Sequence, residues 1–467
     1  MTGLLSRVRP GRLLSFRSGG LSLTGNAAWL AAARVAPMLT GFIFWALAAL
    51  MLAPAQLGLG SAVVSSSLLT VQLGQLGVGP ATLTVLPARP GDNRRLIATG
   101  LLTVSVAAAA VAGGLIVVTR VMGQGVGTAW SDPTVMVTFV AAAVLSADAY
   151  QLDHIAVAQA RADRALVRSI AQGVVQLGAL VGWVVMGNRS LTAIIAAVAV
   201  GAAASVVLGG YQLWRLGIRP DWRRGARLGE AARLLRIGLP NHALVLADRA
   251  PGYLLPIVVA AVLSPAAAAS WYIVWMLAAA VFFVPQSAGY SLQAALAAGL
   301  SAPAQPGAAQ TVKPGAEADA ARDLLRRALR VSLVLTAIAG VVLVLAGPLL
   351  LRLLGPAYAN AWLLLPLLTP ALIACSITQV YYGVCRARGR LAEATGVAVL
   401  GGLIAVAPAA LVLTAGDGLI GVCVLWLIAQ SVAAAVAGVR LWLLTRARFD
   451  RHHTVAAVGS SEIGRAR

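Results

Sequence analysis

Residues 47–89 read LAALMLAPAQLGLGSAVVSSSLLTVQLGQLGVGPATLTVLPAR. The stretch is the end of an apolar helix, a turn at Ala-Pro, and a long run of Leu, Val, Gly and Ser that meets no charge before Arg89. A run longer than the ~20 residues needed to cross the hydrocarbon, with its backbone groups satisfied inside its own helix, is a transmembrane helix. Since the turn before it is very short, the two helices run antiparallel as a hairpin. Transmembrane β-strands, with about 10 residues of alternating polarity, do not fit such a run.

The same texture continues along the chain. Of 467 residues, 60% are hydrophobic and 11% charged, and the mean hydropathy is +0.86. That leaves too little polar surface to coat a soluble globule. Apolar segments at about 27–52, 57–87, 96–119, 133–160, 166–187, 190–214, 237–263, 266–298, 324–351, 358–385, 392–415 and 418–445 predict an all-α polytopic membrane protein with about twelve transmembrane helices. Several segments are longer than a perpendicular crossing needs and must tilt, kink or project.

Charge supplies the orientation. With the N-terminus in the cytoplasm, thirty of the 36 Lys and Arg residues fall in cytoplasmic segments, including the cluster Arg386, Arg388 and Arg390. Three fall outside (Arg120, Arg189, Arg352) and three within helices (Arg34, Arg249, Arg440). The positive-inside rule then places both termini in the cytoplasm and requires an even helix count. The net charge of +21 is spread between spans, not gathered on one soluble face, so nucleic acid is not an expected partner and anionic lipid headgroups are. The leader MTGLLSRVRPGRLLSFRSGG is basic, without the short apolar core and small-residue site of a cleaved signal. Cys375, Cys385 and Cys423 lie inside helices at spacings that match no metal site and read as packing residues. No cofactor is expected.

The predicted organisation is a basic cytoplasmic arm (1–26), a six-helix lobe (27–214), a basic cytoplasmic linker (215–236), a second six-helix lobe (237–445) with a flexible cytoplasmic loop at 299–323, and a cytoplasmic tail (446–467). LAALMLAPAQ closes the first segment and VVAAVLSPAA the seventh, each followed by a short turn and a longer helix. This is the pattern of a parallel internal repeat around a central site. Pro37, the GVGP run at 77–80, Pro251, Pro256, Pro285, Pro366 and Pro370 are expected to interrupt their helices.

Arg34 and Arg249 each open one half of the chain, each with a proline within a turn. An intramembrane guanidinium costs ~2.5 kcal/mol or more, so it persists where it faces a polar cavity or a partner. Guanidinium stays charged and offers two parallel donors to a phosphate, so the pair reads as a diphosphate site. The competing reading is a structural ion pair with Asp148 or Asp248. Asp148, Asp248 and Asp153 are the acids within the membrane that could couple an ion to conformational change or serve as counter-charges. Asn26, Gln72, Gln75, Tyr150, Gln172, Gln176, Asn241, Tyr253, Gln286 and Tyr381 are the polar groups that could line a cavity and hydrogen-bond sugars, or alternatively join helices and mark interfaces.

The hairpin at 47–89 resembles the first hairpin of the polysaccharide-transporter branch of the MOP flippases, the Wzx-type O-antigen and exopolysaccharide translocases. LLRLLGPAYANAWLLLPLLTPALIACSITQVYYGVCRARGR (350–390) is similar to their ninth-to-tenth helix region, and the blocks VLADRAPGYLL and SWYIVWMLAAAVFFVPQS to their seventh and eighth helices. The resemblance implies two pseudo-symmetric six-helix lobes around a central cavity in a bacterial plasma membrane. It also implies movement of an undecaprenyl-diphosphate-linked saccharide to the outer leaflet, with polysaccharide polymerase or glycosyltransferases as partners. Cavity arginines in the first helix of relatives support Arg34. No ATP hydrolysis is expected, because the only Lys, Lys313, precedes Pro and cannot build a Walker A loop.

Two other readings stand beside it. A MATE-like cation-coupled exporter of small molecules shares the expected fold; its pattern leads one to expect an acid in the first helix, where this chain has Arg34. A membrane glycosyltransferase needs carboxylates near the outer face, and the outer loops offer only Asp132 and Asp417.

Overall fold

The structure, a computed structural model, describes the backbone of residues 23–88, 93–221, 228–301, 316–416 and 418–463, and the side chains of 36–87, 93–221, 229–296, 320–416 and 418–444. The N-terminal lobe is built from α1 (Leu23–Met51), α2 (Pro54–Gln75), α3 (Val78–Ala88), α4 (Asn93–Met122), the short α5 (Val126–Ala129), α6 (Pro133–Ala158), α7 (Ala162–Val185) and α8 (Leu191–Arg215). The C-terminal lobe contains α9 (Leu228–Val262), α10 (Pro265–Ser301), α11 (Ala316–Leu354), α12 (Leu364–Ala387), α13 (Leu391–Val406), α14 (Ala409–Thr414) and α15 (Gly418–Ile463). A tight helical turn, Pro356–Leu363, leads into α12. Eleven described helical stretches are long and apolar enough to span a membrane, and the described apolar part of α1 adds a shorter one. The chain is a multi-pass membrane protein.

Local chemistry sets the element ends. Pro54 opens α2 and Pro265 opens α10, where the missing N–H costs nothing. Asp132 Oδ1 accepts the Thr134 N–H and Ser190 Oγ the Thr192 N–H, capping α6 and α8. Of the expected interruptions, GVGP divides one crossing into α2 and α3, because Leu76 and Gly77 take left-handed backbone (φ 47° and 81°). Pro37, Pro251, Pro256, Pro285 and Pro370 instead lie inside continuous helices, and Pro366 lies within the first turn of α12. Neighbouring helices satisfy the freed carbonyls of a membrane helix, so a proline there bends without ending it.

The apolar core shows how the lobes meet. At the end of the bundle far from the termini, one core is shared: Phe44, Trp45, Leu57, Trp130, Phe139 and Ile194 of the N-terminal lobe pack with Leu255, Trp271, Ile273, Tyr358, Leu365 and Trp426 of the C-terminal lobe. At the end that bears the termini the core is divided. Val78, Ile97, Val104, Leu152 and Ile155 form one cluster, joined by Leu234 from the start of α9; Leu244, Val380, Tyr381, Val397 and Ala437 form another. The lobes are therefore sealed over the distal half and, apart from the start of α9, separately packed over the terminal half.

Close backbone approaches make the seal. A Cβ on Gly58 would stand 1.5 Å from the Pro265 carbonyl oxygen, and one on Gly125 would stand 2.7 Å from the Ala261 Cα. On the terminal side, α9 crosses onto the N-terminal lobe at Gly238, whose Cβ would stand 1.7 Å from the Gly77 oxygen. Glycine is the residue that lets these helices touch.

Candidate functional site

Arg249 lies on α9 about one and a half turns short of Leu255, at the level where the shared core stops. Its guanidinium is in electrostatic reach of the hydroxyls of Tyr253 on α9, Tyr290 on α10 and Tyr150 on α6, and of the Asp248 carboxylate. Among the described residues it takes part in no hydrogen bond or ion pair. Tyr150 belongs to the N-terminal lobe and is 38% exposed, so the group spans the gap between the lobes. Tyr253 also lies near Tyr272, whose ring stands 4.4 Å from that of Trp45 on α1. This pair closes the gap above Arg249 with aromatic surface drawn from both lobes.

The wall on the C-terminal side is set by helix crossing. Gly289 of α10 and Gly383 of α12 approach so closely that a Cβ on Gly383 would stand 2.3 Å from the Gly289 oxygen. That crossing brings Gln379 to Asp248, and its Nε2 donates to both carboxylate oxygens at 3.0 and 3.1 Å. It also brings Arg386, in the last turn of α12, over the Tyr290 ring at 5.0 Å from guanidinium carbon to ring centre. The ring's negative face attracts the cation. Asp248 is in electrostatic reach of both Arg249 and Arg386.

The three acids separate by environment. Asp153 is paired with Arg168 at 2.6 Å, and Arg168 also donates to Gln212, tying α6, α7 and α8 together. Asp153 is thus a structural counter-charge. Asp148 accepts from Ser105 Oγ at 2.8 Å between α4 and α6, with no basic group within ion-pair distance among the described residues. Asp248 is clamped by Gln379 as described, and forms no direct ion pair with Arg249.

The side chains of Arg34 and Asn26 lie outside the described residues. Tyr253, Tyr150, Asn241 and Gln286 are on the helices that face the gap; Gln286 is one turn from Tyr290, and Asn241 two turns from Asp248. Gln72 is buried where its backbone carbonyl faces the His242 imidazole across the α2–α9 contact. Gln75 donates to the Ala147 carbonyl at 2.8 Å and is a helix-joining amide. Gln176 packs on Gly201 of α8, and the Gln172 carbonyl lies against the same glycine.

Tyr381 is corrected outright. It is fully buried, donates to Glu393 Oε1 at 2.8 Å, and belongs to a pair in which Arg440 Nε meets the same oxygen at 2.7 Å. Its hydroxyl joins α12 to α13 through Glu393, which Arg440 ties to α15. Arg386 and the Trp45–Tyr272 pair went unrecognised in the sequence reading.

The sequence matches no family model and no curated protein. Solved structures do match. An inward-facing multidrug resistance MATE family transporter of the MOP superfamily is similar at TM-score 0.67 and 13% identity, over 90% of this chain and 98% of that one. The outward-facing conformation of such a transporter gives TM-score 0.65 at 14% identity, over 91% and 96%. A MOP superfamily transporter from Pyrococcus furiosus, whose binding pocket is described as reversed in polarity, gives 0.59 at 13%, over 91% and 94%. The chain has the MATE-like transporter fold.

These likenesses overturn the expectation of a lipid-linked saccharide flippase: MATE multidrug transporters are what the fold matches. The hydropathy and glycine patterns behind that expectation mark where helices cross the bilayer and touch, features common to two-lobe transporters of this fold, and carry no cargo chemistry. Of the expected diphosphate pair, the Arg34 side chain lies outside the described residues, and Arg249 is in electrostatic reach of Tyr253, Tyr150, Tyr290 and Asp248.

Proposed function

We propose that this protein is a secondary transporter that exports a small molecule by alternating access, with Arg249 and the tyrosines around it as the binding site. The observation that carries this reading is the divided core: the lobes share packing over the distal half and part over the terminal half, with a polar cluster drawn from both lobes where the division begins. A substrate held there touches both lobes, so it can bias their relative arrangement. The positive-inside pattern supports a cytoplasmic location for the termini, and with them the open side, in a bacterial inner membrane. Likeness to MATE multidrug transporters supports the small-molecule reading.

We infer that the energy source is an ion gradient. Asp148 is the carboxylate suited to carry the ion: it lies within a membrane helix, has only the Ser105 hydroxyl as its described partner, and is unneutralised by arginine. Asp153 is already committed to Arg168.

The test is uptake into everted membrane vesicles of a panel of toxic and fluorescent small molecules, under imposed proton or sodium gradients. Export that follows one gradient in the native chain, and loses that dependence in Asp148→Asn while the protein remains folded, supports the reading. No movement of any compound under either gradient refutes it.

A further inference from the structure

The C-terminal wall of the gap carries two guanidinium groups and one carboxylate, an imbalance that no described counter-ion removes. Arg249 lies at the apex, and Arg386 lies in the last turn of α12, toward the terminal end. The Asp248 carboxylate between them is held by Gln379 and is within 4 Å of neither. Arg386 Nε is buried and meets no hydrogen-bond partner among the described residues. Keeping an uncompensated guanidinium in a membrane segment is costly, and two of them flanking one ring is not what helix packing requires. Elsewhere helical arginines meet a carboxylate directly, as Arg168 meets Asp153 and Arg440 meets Glu393.

The surroundings of the two cations are aromatic. Tyr290 lies beneath Arg386 and within reach of Arg249; Tyr150 faces Arg249 from the opposite lobe. Tyr253 leads upward to the Trp45–Tyr272 pair. Such rings offer flat apolar faces to a planar body, while the guanidinium groups offer donors to an acidic group.

We infer that the substrate is a small organic anion with a planar apolar body, its acidic group drawn along the C-terminal lobe from Arg386 at the mouth to Arg249 at the apex. This rests on the transporter reading above and names its substrate class. Arg386 acts first, as an electrostatic funnel that raises the local concentration of anions. Arg249 then holds the acidic group where Tyr150 reaches across from the other lobe, so occupancy is sensed by both lobes.

The experiment uses the purified full-length chain in proteoliposomes and two permanently charged probes matched in ring system, naphthalenesulfonate and trimethyl(naphthylmethyl)ammonium. Neither leaks across lipid unaided. Binding is followed separately in detergent by quenching of tryptophan fluorescence. The sulfonate should be bound and moved in preference to the ammonium. Arg249→Gln and Arg386→Gln should each weaken sulfonate binding by about tenfold or more, as expected for loss of a charge-assisted contact. Arg386→Lys keeps the charge and guards against a folding defect; it should retain much of the native binding and lower only the rate of uptake at low salt. Preference for the ammonium, or sulfonate transport unchanged in both glutamine variants, overturns the anion assignment while leaving the transporter reading in place. Sulfonate binding that requires both arginines, without movement under any gradient, supports the anion site and defeats the transporter reading. Neither binding nor movement of the sulfonate overturns the anion assignment.

Discussion

Replacing Gly58 by Ala tests whether the distal seal is what holds the lobes in the observed arrangement. The added Cβ would stand 1.5 Å from the Pro265 carbonyl oxygen, 2.5 Å from its carbon and 2.9 Å from the Ala269 nitrogen. Nonbonded heavy atoms settle at about 3.5 Å or more, so the contact must open by about 2 Å. All three of these atoms are backbone in the first turns of α10, and no flexible side chain can yield in their place. Overpacking of this kind costs about 1–3 kcal/mol. At 1.4 kcal/mol per tenfold, that moves the equilibrium between the sealed and distally open forms by about fivefold to 150-fold toward the open one. Spin labels at Arg189 and Ala415, both exposed in distal loops of opposite lobes, report the change. The buried Cys375, Cys385 and Cys423 would first be replaced by Ala. The distance distribution should gain a longer population in Gly58→Ala, with slower export. An unchanged distribution together with native export would refute the reasoning, because the helices would then be relaxing locally and the Gly58 contact would not govern closure.

Three further outcomes follow from the same packing. Truncating Trp45 and Tyr272 singly and together should reveal a coupling of about 0.5–1.5 kcal/mol in that same equilibrium, the usual worth of an aromatic pair; strict additivity in the double-mutant cycle would separate the pair from closure. Glu393→Gln should lower the thermal midpoint in detergent, since Arg440 loses its charged partner at 2.7 Å, and adding Arg440→Gln should recover part of the loss; substrate preference should not change in either variant. Asp153→Asn should reduce folded yield by stripping the buried Arg168 of its carboxylate, while the gradient dependence of whatever protein remains stays native, the reverse of the expectation for Asp148→Asn.

The number of membrane crossings was legible because hydropathy reports directly on what a helix must bury, and the matching Ala-Pro and Ser-Pro turns at Pro54 and Pro265 do open equivalent helices. Charge was harder to read, because a sequence shows where an arginine sits along one helix and not what a second helix brings to it. Arg440 and Glu393 are 47 residues apart and meet at 2.7 Å; Tyr381, which looked suited to a cavity, completes that same pair. Arg386 shows the converse error. Counted among the basic residues after the tenth helix, it satisfied a topology rule, and nothing in the sequence distinguished it from Arg388 or Arg390. The distinction arises where Gly289 meets Gly383, a crossing close enough to lay the Arg386 guanidinium over Tyr290. Function in such a protein therefore resides less in which charges the chain carries than in which of them the helix crossings leave without an opposite: Arg168 and Arg440 are neutralised and join helices within their own lobes, whereas Arg249 and Arg386 retain the electrostatic capacity to hold something else.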